Sequence, residues 1–192
     1  MKDSIKRLFI TAVIIALSVA TALLIDVILD KKERETYSLG EEQSVYETVE
    51  KYSKQYGIPQ EMIYTVMKMR SNCTRFYESD GRYGYMGLNM DDVKIIKDSY
   101  EVAITEDMLR NPSYNLLFGV QIISKLYSSL EDKNAVYAAL LYGSENASDW
   151  LESSKYTDIT GSLVSVPEGV GNEFYEYLKT EQKYVELYFG DN

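Results

Sequence analysis

The chain has 192 residues, with 30 acidic against 20 basic side chains and a net charge of −10. That balance excludes nucleic acid as a partner, because phosphate recognition needs a basic surface. Histidine is absent and Cys73 is the one cysteine, which excludes His-based nucleophilic catalysis, His-ligated or cysteine-cluster metal sites and an intrachain disulfide. No cofactor or metal is therefore expected.

The first element is apolar. Leu8 to Ile25 carries only Thr11, Ser18 and Thr21 as polar interruptions, and Val27, Ile28 and Leu29 follow Asp26. Leu8–Leu29 is about 22 residues, the length that spans a hydrocarbon core as a helix. Ser18-Val19-Ala20 offers a rival reading as a signal-peptide cleavage site, but the apolar run continues past it. The expected organisation is a short cytoplasmic tail over 1–7, a transmembrane anchor over 8–29, a linker over 30–43 and a domain over 44–192. Lys2, Lys6 and Arg7 on one flank nearly balance Lys31, Lys32 and Arg34 on the other. The free amino terminus tips the orientation toward a single-pass cell-membrane protein with an extracytoplasmic C-terminal domain.

Past the linker the pattern is helical throughout. Val45, Val49, Tyr52 and Tyr56 recur at helical spacing, and Gly57 ends that helix. Pro59 opens the next, with Ile63, Val66, Met67 and Arg70 on one face. Asn72 to Gly84 reads as a loop around the turn signal Asp80-Gly81, and Asn89 with Asp92 caps a short helix reaching Tyr100. Asn111-Pro112 precedes a longer helix striped by Leu116, Val120, Ile123, Tyr127 and Leu130. A compact helix spans Ala135 to Tyr142, Thr157 to Gly171 is irregular, and Phe174, Tyr177, Leu178, Val185 and Tyr188 outline a last helix. With no run of strands, the domain is expected to be all-α, with six or seven helices.

The order of these signals resembles the lytic transglycosylase domain, also called SLT or goose-lysozyme-like, over nearly all of Ser44 to Tyr188. Tyr56-Gly57-Ile58-Pro59 resembles that family's approach to its catalytic helix, and Val66-Met67-Lys68-Met69-Arg70-Ser71 its apolar stretch ending in Glu-Ser. Gly84-Tyr85-Met86-Gly87-Leu88 resembles Gly-Leu-Met-Gln and an apolar residue. Asn111-Pro112 with Asn115 and Gly119 resembles a helix start, and Ala138 to Tyr142 an Ala-Tyr-Asn segment. Pro167 to Tyr188 is similar to the closing helix. The resemblance implies a lysozyme-like helical domain behind the membrane helix, acting on bacterial peptidoglycan.

Three positions depart from the pattern: Arg70 for the catalytic glutamate, Gly87 for glutamine and Gly143 for asparagine. The family cleaves the bond between N-acetylmuramic acid and N-acetylglucosamine with a glutamic acid that first gives and then takes a proton. That step needs a carboxyl tuned toward neutral pH. A guanidinium stays protonated and cannot perform it. No catalytic residue is therefore assigned, and the resemblance implies a degenerate protein that binds glycan strands, or serves as a scaffold, without cutting. Two alternatives stand beside it. One is an active muralytic enzyme whose acid has moved to Glu78 or Glu145, with Asp80 a further carboxylate in the same loop. The other is an interaction subunit of a secretion, conjugation or envelope complex, with an envelope protein as partner. Residues expected to line a glycan site are Arg70, Ser71, Tyr83, Tyr85, Met86 and Tyr142. Arg70 has two readings, an anion-gripping fork or half of an ion pair at the cleft mouth.

Overall fold

A computed structural model describes residues 2–36 and 43–190, with side-chain environments given for Ile15, 18–35 and 44–190. The chain divides into two units, Met1–Ser38 and Leu39–Asn192. The first is one continuous helix, α1 (Lys2–Thr36), which runs through both the expected tail and the expected anchor. Its described apolar side chains, among them Val19, Leu23, Leu24, Ile25, Val27, Ile28 and Leu29, are 54–65% exposed. Toward its end charged side chains pair one turn apart, Arg34 with Asp30 and Lys31 with Glu35. Among the described residues no helix is long and apolar enough to cross a membrane. The environments of Leu8 to Ile14 lie outside the described residues, as does most of the linker, residues 37–42.

The second unit is helical, as expected, with seven α-helices among its described residues. The helix α2 (Gln43–Tyr56) buries Val45 and Val49, pairs Lys54 with Glu50, and stops where Gly57 turns to φ +66°. Pro59 caps α3 (Gln60–Ser71), and Met62 through Met67 are all buried, so this helix lies inside the domain instead of offering it one stripe. Asn72 and Cys73 then both adopt left-handed backbone, which ends α3 sharply. Asn111 accepts hydrogen bonds from the Ser113 and Tyr114 amides to start α5 (Pro112–Leu130). The Asp132 carboxylate does the same for Ala135 at the start of α6 (Lys133–Tyr142). The closing helix α8 (Glu173–Tyr184) packs along α3 and α6, and α5 packs against α2 and α6. Between α6 and α8, Tyr137 donates to the buried Glu181, which also pairs with Lys133.

Four local features differ from the expected pattern. The loop after α3 contains a small hairpin, β1 (Glu78–Ser79) paired with β2 (Arg82–Tyr83) across Asp80-Gly81. The segment after Asn89 forms two tight 3₁₀ turns, Asp92–Ile95 and Lys97–Ser99, instead of an α-helix. Asn89 Oδ1 accepts from the Asp91 and Asp92 amides, a local closure that favours a turn. Two short helices are additional: α4 (Glu106–Arg110), capped by Thr105, and α7 (Ser144–Leu151), which follows α6 across Gly143 alone. Finally, α8 passes into a π-type turn over Val185–Phe189.

Candidate functional site

The site gathers where the end of α3 meets the segment from β2 to Asp92. That segment is fixed from below by α5. The fully buried Asn115 accepts from the Met86 amide at 2.7 Å and donates to the Tyr83 and Leu109 carbonyls. A Cβ at Gly84 would lie 2.4 Å from Asn115 Cγ, and one at Gly119 would lie 2.4 Å from Met86 Cγ. Both glycines are therefore required by close approach. Ser71 closes the other side: its hydroxyl lies against the Met67 and Tyr85 carbonyls and serves one at a time with its single proton.

At the centre stands Arg70. Its side chain is only 7% exposed, and Nη2 donates to the Leu140 carbonyl at 2.9 Å and to Asp92 Oδ1 at 3.3 Å. Asp92, 13% exposed, accepts on Oδ2 from Arg82 Nη1 at 2.9 Å and from the Asn89 amide at 3.0 Å. Arg82 Nη1 also donates to the Gly87 carbonyl. Of the two readings of Arg70, the ion pair is the one these bonds describe. The pair ties α3, α6 and the 3₁₀ segment together. Burial pushes the Tyr177 hydroxyl of α8 up in pKa, and the Arg70 guanidinium beside it holds it down, Arg82 adding to that to a smaller degree.

The other two positions that the sequence resemblance marks as departures have structural causes of their own. Gly87 sits at φ +51°, and a Cβ there would come within 2.8 Å of the Arg70 Cβ and carbonyl. No side chain fits at 87 while α3 ends where it does. Gly143 joins α6 to α7 at φ 90° and ψ 152°, a region open essentially to glycine alone.

The remaining candidates fall in two groups. Met86, Ser71, Tyr85 and Tyr83 are buried, and the first two are fully engaged in the scaffold. The Tyr83 ring lies under the Arg110 guanidinium at 4.2 Å, and its hydroxyl meets Arg110 and Glu106. Tyr142 is half-buried beside Trp150, with ring centroids 5.5 Å apart, and burial raises its hydroxyl against an opposing contact from the Phe174 backbone. Glu78 is on β1, exposed, and paired with Arg110 at 3.2 Å. Glu145 and Asp80 are exposed, on the first turn of α7 and at the hairpin tip. Among the described residues, no hydrogen bond or ion pair joins Arg70 to any of these three carboxylates. Cys73 is half-buried, 3.7 Å from the Tyr184 hydroxyl, and burial pushes its thiol up. Sequence reasoning used Asp92 only as a cap, and it missed Arg82 and Tyr177. Their meeting depends on a turn of the chain that no periodicity encodes.

No curated protein matches the chain. A solved structure with similar architecture is that of an inactive mutant of the lytic transglycosylase Slt from Pseudomonas aeruginosa. The TM-score is 0.53 at 17% identity, and the match covers 79% of this chain and 23% of that one. At that identity the likeness speaks to fold. The transglycosylase SLT domain model matches residues 47–161, from the middle of α2 to beyond α7. With more than half of its length matched, this chain belongs to the transglycosylase SLT domain family.

Proposed function

We propose that the protein is a peptidoglycan-associated member of the family that holds glycan strands and does not cleave them. One observation carries the reading: Arg70, at the position where the family resemblance expects the catalytic acid, is a guanidinium bound to Asp92 and to the Leu140 carbonyl. A group that keeps its proton cannot act first as acid and then as base. Asp92, the nearest carboxylate, has both oxygens occupied as acceptors by Arg70, Arg82 and the Asn89 amide. Gly87 and Gly143 hold backbone that a larger residue would strain or crowd, so the side chains the resemblance expects there have no place.

On the same reading, α1 is a membrane anchor that keeps the domain at the envelope. The support is its long run of exposed large apolar side chains, which in water would be an uncovered patch well beyond what soluble proteins tolerate. The test of the binding half is co-sedimentation of the full-length chain with purified peptidoglycan. Recovery of the chain in the pellet is expected. A chain that stays in the supernatant at every peptidoglycan concentration would refute glycan binding and turn the search to a protein partner.

A further inference from the structure

We propose that the face of α1 carrying Asp26 docks a membrane-spanning helix of a different protein, one with a lysine or arginine at matching depth. The proposal rests on the anchor reading of α1 given above and names the chemistry of its partner. Asp26 interrupts the apolar run, with Leu23, Leu24 and Ile25 before it and Val27, Ile28 and Leu29 after it, all of them exposed. Three residues separate it from the end of that run, which places it about 4–5 Å inside the apolar layer at 1.5 Å per residue. An ionisable side chain inside a membrane is costly unless it meets a partner, and a carboxylate on a one-carbon stem has less reach to water than lysine or arginine.

The helix itself supplies no such partner. Asp26 is exposed and forms no hydrogen bond or ion pair among the described residues. Its neighbours one turn away are Ala22, Leu23, Leu29 and Asp30, none of them a cation, and Asp30 is already paired with Arg34. Lys31 and Lys32, five and six residues on, lie on other sides of the helix, and Lys31 pairs with Glu35. A second copy of the chain is a poor occupant, because parallel copies would set two Asp26 carboxylates against each other at one depth. A cation from another helix is complementary. Ala22 and Ser18, four and eight residues before Asp26, leave that helix room to approach.

The test places the full-length chain in phosphatidylcholine vesicles with a synthetic transmembrane helix of leucine and alanine that carries a photo-crosslinker. One version of the helix has a single lysine at the depth of Asp26, and the other has leucine there. The lysine helix is expected to crosslink to the chain at a peptide-to-lipid ratio about fivefold lower than the leucine helix, within the range of a polar contact between membrane helices. Asp26→Leu should make the two helices equivalent. Equal crosslinking of both helices by the wild-type chain would overturn the proposal, and so would a preference that survives in Asp26→Leu. A wild-type chain that crosslinks to itself and excludes the lysine helix would overturn it in favour of a second copy. A chain that floats with vesicles after an alkaline carbonate wash yet shows no preference refutes the docking face and leaves the anchor standing. A chain stripped from the vesicles by that wash refutes both.

Discussion

Placing at position 70 the acid that the sequence resemblance expects there is the perturbation that most exposes the physics of this site. Arg70→Glu removes the donor to the Leu140 carbonyl and half of a pair in which neither side chain is more than 13% exposed. In their place it buries a second carboxylate facing Asp92 and a carbonyl oxygen. Breaking a buried ion pair by removing one partner costs about 3–5 kcal/mol. Asp92 keeps Arg82 on its other oxygen, which lowers that figure, and the new like charge raises it again. A cost of about 4 kcal/mol consumes much of a domain's usual margin of roughly 5–15 kcal/mol. At about 2–4 °C per kcal/mol for a domain of this size, the melting temperature falls by about 10 °C. Arg70→Met, similar in length and uncharged, loses the bonds without adding repulsion and falls less. Thermal denaturation followed by circular dichroism measures both, and the Glu variant is then assayed for release of anhydro-muropeptides. No release is expected, because the backbone at Gly87 and Gly143 is unchanged by the substitution. A Glu variant that melts within about 2 °C of wild type would refute the reasoning.

Other consequences follow from the same geometry. Gly84→Ala would place a Cβ 2.4 Å from Asn115 at φ +65°, and Asn115→Ala would strip two backbone hydrogen bonds from the segment above it and a third from Leu109 in α4. Each should cost about 2–3 kcal/mol in urea denaturation, whereas Gly81→Ala, at φ +71° in open space, should cost about 1. Burial raises the pKa of Cys73, Tyr64, Tyr137, Tyr177 and Tyr184 above their ordinary values of 9.0 and 10.0. The unfolded chain therefore loses these protons first. Stability is fully present below pH 9 and falls as pH rises beyond it, which denaturant titrations between pH 7 and 11 would register. For the same reason Cys73 should react with a maleimide at pH 7 at least tenfold more slowly in the native chain than in the denatured one, on the order expected for a suppressed thiolate. If α1 is an anchor, the chain stays with membranes through an alkaline carbonate wash and is released only by detergent.

Much of this fold is written in local sequence. Asn111-Pro112 announces α5, Gly57 and Pro59 separate α2 from α3, and the apolar spacing from Leu116 to Leu130 gives the long helix its buried face. These signals act within one or two turns, so they survive without knowledge of the tertiary structure. The features that escape are those decided at longer range. The hairpin at Glu78–Tyr83 has two-residue strands, too short to show alternation, and α7 is separated from α6 by one glycine. Position 70 was legible as a departure because an arginine stands where the resemblance expects an acid. Its partners were not. Asp92 is 22 residues away and Leu140 is 70 away, and only the turn at Gly87, pressed against the end of α3, brings Arg82 and Asp92 to the guanidinium. The glycines at 84 and 119 read as family matches in sequence. Their physical reason, the bulk of Asn115 and Met86, is visible only in three dimensions.

The central claim is that this domain holds glycan without cutting it. The most direct measurement incubates the full-length chain with purified peptidoglycan and analyses the supernatant by mass spectrometry, with quantification of protein in the pellet. Protein in the pellet and no anhydro-muropeptides in solution is the predicted result. Anhydro-muropeptides that disappear on substitution of Glu78 or Glu145 would contradict it, showing that a carboxylate outside the Arg70 cluster carries out cleavage.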